Sequence, residues 1–70
     1  MGKNHKELNN QLVERRRASG LTQLELAEKV GVSRKSINSI ENGIYIPTTV
    51  LALKMATGLN CTIHDLFQLP

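Results

Sequence analysis

Residues 34–39 place Arg34, Lys35, Ser36, Asn38 and Ser39 within six positions. Guanidinium and ammonium groups donate hydrogen bonds to anions and to carbonyl or ring-nitrogen acceptors, while hydroxyls and amides both donate and accept. That is the chemistry of holding a surface. A chain that makes or breaks bonds needs a nucleophile beside a base, paired carboxylates or a phosphate-cradling loop, and the sequence carries none of these patterns. No enzyme is expected. His5 and His64 have no Cys or acidic partner at ligand spacing, so no metal and no cofactor is expected either. Cys61 is alone, which rules out an internal disulfide and fits a reducing interior; it reads as a small apolar filler.

Those polar side chains are useful only if a helix carries them on one side of a frame. Ser33 can cap such a helix, which reaches about Asn42 before Gly43 ends it. Its apolar residues, Ile37 and Ile40, lie three apart and share a face. The helix before it opens at Thr22, where Thr22-Gln23-Leu24-Glu25 has the capping-box pattern, buries Leu26, Ala27 and Val30, and stops at Gly31. Upstream, Glu7–Ser19 favours helix, with Leu8 and Leu12 one turn apart and Gly20 as the stop. Downstream, Ile44–Pro47 reads as a loop. Thr48 caps a fourth helix that turns Leu51, Ala52, Met55 and Ala56 inward and ends at Gly58. Thr62-Ile63-His64-Asp65 is a second capping-box pattern and opens a short fifth helix through Phe67. No strand is expected.

The chain has 70 residues, enough for one domain. Residues 1–6 form a polar, flexible lead-in and residues 7–70 the domain. With one Tyr, one Phe and no Trp the core must be aliphatic. The net charge of +3 is compatible with a polyanionic partner without requiring one. No apolar run approaches the ~20 residues of a membrane span, so no membrane association and a cytoplasmic location are expected.

Gly31 and Ser33 make the corner between the second and third helices very tight. Two helices joined in this way have the helix-turn-helix geometry, in which the first braces the second. A protruding second helix that enters the major groove N-terminus first makes its base contacts with its first turn, here Arg34-Lys35. The stretches LTQLELAEKVGVSRKSINSIENG and PTTVLALKMATGLNCTIHDLF, which lie between about Asn10 and Phe67, resemble the Cro/repressor (Xre) family, and in particular its short stand-alone dimeric members. The resemblance implies a compact, all-α, five-helix bundle that binds specific double-stranded DNA, usually as a repressor on a pseudo-palindromic operator, with residues 33–42 as the recognition helix.

Position by position, the resemblance puts Arg34, Lys35 and Ser39 where base edges are read. Ser36 and Asn38 are secondary candidates, and Asn38 has the chemistry to pair with adenine. Gln23 falls where a glutamine touches phosphate and braces the recognition helix, and Asn42 and Tyr45 where phosphate is met. Arg16 and Glu41 match an ion pair joining the first helix to the end of the third. Three positions depart from the pattern. Leu24 stands at a commonly polar place and is expected to be exposed. Arg15 replaces an apolar residue, with Val13 to compensate, and Thr49 replaces a leucine. Arg15 and Arg17 read as a solvated face.

The tail holds Leu59, Ile63, Leu66, Phe67 and Leu69 with little chain left to cover them. Some of it must close the core. The rest predicts a two-fold homodimer through Leu59, Ile63, Phe67 and Leu69, with Ile44 and Ile46 contributing. Two other readings stay open: a protein-interaction module whose basic face is incidental, and the reading domain of a longer sensor.

Overall fold

The structure, a computed structural model, describes residues 7–70. The lead-in expected at residues 1–6 lies outside the described residues. Five helices follow in order: α1 Leu12–Ala18, α2 Gln23–Val30, α3 Arg34–Glu41, α4 Thr49–Gly58 and α5 Ile63–Leu66.

Hydroxyl caps set most of the starts. The side chains of Thr22, Ser33, Thr48 and Thr62 each accept from the backbone N–H three residues on, satisfying a group the helix cannot. At α2 and α5 the box is complete, with Glu25 and Asp65 accepting from the backbone N–H of Thr22 and Thr62 at 2.8 and 2.9 Å.

The first helix is shorter than its composition suggests. Asn9–Asn10 form a strand, β1, paired antiparallel with β2, Phe67–Gln68, in the register Asn9–Gln68 and Asn10–Phe67. A small ladder therefore exists where none was expected, and it takes Phe67 out of the fifth helix. The Gln11 N–H extends the junction with a 2.7 Å bond to the Leu66 carbonyl. Asn10 stands in for a helix cap, its Oδ1 accepting from the Leu12 N–H at 3.1 Å.

One aliphatic cluster fills the centre. Leu12, Leu26, Ile37, Ile40, Met55 and Leu66 are fully buried, so every helix contributes. Burying each such side chain is worth about 1.5–3 kcal/mol. Leu59 and Phe67 are buried in the same cluster. Both were expected at a dimer surface; their side chains close the subunit's own core and leave little area for a partner. Ile63 is only partly buried, and Leu69 is 81% exposed. Other exposed apolar residues are Leu24, Ile44, Tyr45, Ile46, Val50 and Leu53. Among the described residues, no helix is long and apolar enough to cross a membrane.

Candidate nucleic-acid interface

The corner before α3 is built from backbone. Gly31 caps α2 with φ 79°, a left-handed conformation that other residues adopt only under strain. Its N–H and that of Val32 both donate to the Ala27 carbonyl, at 2.9 and 3.0 Å. Ser33 then starts α3, its Oγ accepting from the Ser36 N–H at 3.1 Å. Ile37 and Ile40 fasten the inner side of α3 to the core.

What remains is an outer face. Helical spacing aligns Arg34, Asn38 and Asn42 at four-residue steps, with Lys35 and Ser39 in the adjoining row. Arg34, Lys35, Asn38 and Asn42 are exposed, and Ser39 is half-buried. Ser36 lies off this face. Its hydroxyl is 3.0 Å from that of Ser33, so it serves the cap. Neither Arg34 nor Lys35 has an acidic partner among the described residues. Their charges are open to an incoming anion or base acceptor.

Behind the face, α1 and α3 are joined by a buried ion pair. Arg16 Nε donates to Glu41 Oε2 at 2.6 Å, Nη2 donates to Oε1 at 3.3 Å, and Nη1 donates to the Leu21 carbonyl at 2.9 Å. The guanidinium thus ties three segments together. Gln23 joins the same carboxylate: its Nε2 donates to Glu41 Oε1 at 2.8 Å and to Asn38 Oδ1 at 3.1 Å. Asn42 Nδ2 donates to the Asn38 carbonyl at 2.9 Å and to Asn38 Oδ1 at 3.2 Å. An amide nitrogen has two hydrogens, so those of Gln23 and Asn42 are both engaged within the protein. The loop after α3 is pinned by the N–H groups of Ile44 and Tyr45, which donate to the Ser39 carbonyl at 2.9 and 3.3 Å. Tyr45 itself is exposed.

Asn10 has no signal in the sequence, yet it reaches this region: its Nδ2 donates to the Ile40 carbonyl in the last turn of α3 at 3.0 Å. Arg15 is drawn the other way, to Asp65 of α5 at 3.4 Å. Among the described residues, no group of three or more His, Cys, Asp or Glu side chains could hold a metal ion. Cys61 is half-buried, and its thiol is pushed above its usual range, mainly by desolvation.

Comparison with known proteins follows the same lines. The helix-turn-helix family model matches residues 12–66. The uncharacterized HTH-type transcriptional regulator YgzD of Bacillus subtilis is 37% identical over 62 residues, covering 89% of this chain and 94% of that one. Among solved structures, the clp gene regulator ClgR from Corynebacterium glutamicum superposes with a TM-score of 0.74 at 28% identity, over 77% of this chain and 57% of that one. SinR, solved as a SinR/SinI complex, gives 0.73 at 29% identity over 77% of this chain and 53% of the other. This chain thus spans little more than half of those two. With the corner, the capped third helix and its unpaired basic first turn in place, the match from α1 to α5 is a match of working parts, and the chain belongs to the Xre/Cro-type helix-turn-helix family of DNA-binding transcriptional regulators.

Proposed function

We propose that the protein binds a specific double-stranded operator by laying α3 in the major groove, as a homodimer and as a repressor. The observation that carries this is the outer face of α3: two unpaired cations in its first turn, held by a rigid corner and a buried ion pair. Arg34, Lys35 and Ser39 read base edges, with Asn38 between them. Ser36 orders the first turn. Phosphates are met on the flanks, by Tyr45 through its phenol and by Gln23 through its backbone N–H, which lies in the unsatisfied first turn of α2. Asn42 joins them only by releasing its amide from Asn38. The dimer forms through Ile63 and Leu69 of the tail with Ile44 and Ile46 of the loop, and sets two half-sites roughly 34 Å apart. A cytoplasmic location and the absence of catalysis belong to the same proposal.

Arg34→Ala tests it. On a site selected from random DNA, the loss is expected to be about 1–3 kcal/mol with relaxed preference at one base pair. Equal loss on random DNA would remove Arg34 from base reading. Affinity of the native protein should fall steeply with salt, because bound cations displace counterions.

A second reading rests on a different surface. Val50 and Leu53 of α4 line an open groove against Lys29 and Gly31 at the end of α2, and both apolar side chains are exposed. This favours a protein-binding role, and SinR, one of the structural neighbours, was solved with a protein partner. Binding to a protein that ignores salt, with no preferred DNA sequence, would decide for it.

A further inference from the structure

The polar contacts behind α3 have a direction. Glu41 is gripped by Arg16 through both carboxylate oxygens, and a carboxylate paired in this way only accepts. The amide of Gln23 must therefore turn its nitrogen toward Glu41. Reversing it would set a carbonyl oxygen 2.8 Å from a carboxylate oxygen. Asn42 is fixed independently, because its nitrogen lies 2.9 Å from the backbone carbonyl of Asn38, another pure acceptor. Both nitrogens point at one atom, Asn38 Oδ1, at 3.1 and 3.2 Å. The Asn38 amide is consequently oriented from two sides. Its oxygen carries two donors, and its NH2 group is left with no partner among the described residues, on a side chain exposed to solvent.

Asparagine pairs with adenine by accepting from N6 and donating to N7, which needs both ends of the amide. Here only the donor end is free. Guanine presents two acceptors, O6 and N7, on its major-groove edge. We propose that Asn38 is a donor-only reader that selects guanine, and that Glu41 sets this polarity through Gln23. The proposal rests on α3 lying in the major groove and specifies which base its middle position takes.

The test is site selection from random duplexes with the native chain, Asn38→Ala and Asn38→Asp. The substituted side chain is exposed, and the aspartate can still accept from Gln23 and Asn42 while losing the NH2 group. Native protein is expected to enrich a guanine at one position of each half-site. Asn38→Ala should lose about 5- to 150-fold of the preference there, the range of a good paired contact. Asn38→Asp should reject guanine at that position and favour cytosine, whose N4 donates. Placing 7-deazaguanine at that position should weaken the native protein and leave Asn38→Ala unaffected. An adenine at the position that responds to Asn38→Ala, with native binding weakened when its N6 amino group is removed, would overturn the proposal. So would selection profiles identical for all three proteins, which would show that Asn38 reads nothing. Failure of the native chain to enrich any sequence would instead reject the major-groove reading itself, and this inference with it.

Discussion

Arg15 and Arg16 are neighbours on α1, and each reaches a carboxylate on another helix. Arg16 meets Glu41 of α3 at 2.6 Å, with side chains 10% and 5% exposed. Arg15 meets Asp65 of α5 at 3.4 Å, with 45% and 40% exposed. Both are arginine–carboxylate pairs, and the physics differs. Water screens the outer pair, and holding two mobile side chains together costs entropy, so such contacts are worth about 0–1 kcal/mol. The inner pair is dry. Each guanidinium nitrogen of Arg16 has an acceptor, and no buried side-chain nitrogen or oxygen among the described residues is without a partner. One arginine therefore decides where the third helix sits, while the other decorates a junction that the core and the ladder already hold.

Glu41→Ala is the harshest way to break the contrast. It leaves the buried Arg16 guanidinium without a counter-charge, held only by the Leu21 carbonyl, and should destabilise the chain by about 3–5 kcal/mol, as removing one member of a buried pair does. A domain of this size has only roughly 0.05–0.15 kcal/mol of stability per residue, so the variant should lose a large share of its stability and unfold at much lower denaturant. Urea melts would show it, and a loss under about 1 kcal/mol would place the two pairs in one class. Arg15→Ala should cost no more than about 1 kcal/mol, less still in high salt, read from the same melts.

The smallest effect is a pH dependence at the outer junction. The Asp65 carboxyl is held below the ordinary carboxylate range, first by the Thr62 backbone N–H and then by the Thr62 side chain, with Arg15 adding a lesser contribution against a slight desolvation. The folded state thus binds this proton less readily than the unfolded chain. Its contribution to stability is fully present above the unfolded-state pKa and is lost as pH falls through the lower, folded one. Asp65→Asn should accordingly be most destabilising near neutrality, and the gap from the native melt should narrow in acid. A gap that stays constant with pH would assign the effect to the cap's shape instead of its charge.

The caps were legible in the sequence because they are local. Thr22 and Glu25, or Thr62 and Asp65, lie within four residues, and their pairing needs no knowledge of the fold. Leu24, standing where a polar residue is usual, is indeed 51% exposed. The ladder was not legible, since Asn9 and Gln68 are at opposite ends of the chain and neither strand is long enough to alternate. Phe67 and Leu59 look like loose tail residues until the angle at which α5 folds back is known. The amide chain is hidden for a further reason. Gln23, Asn38, Glu41 and Asn42 are visible as polar residues, but the end each amide shows to solvent depends on an arginine from another helix.

Asn10 belongs to the strand that gathers both ends of the fold, and the same side chain holds the Ile40 carbonyl. Fraying of the ladder would withdraw an anchor from the far end of α3. Anything fused to or pulling on either end of the chain thus has a mechanical route to the recognition helix, through a single amide.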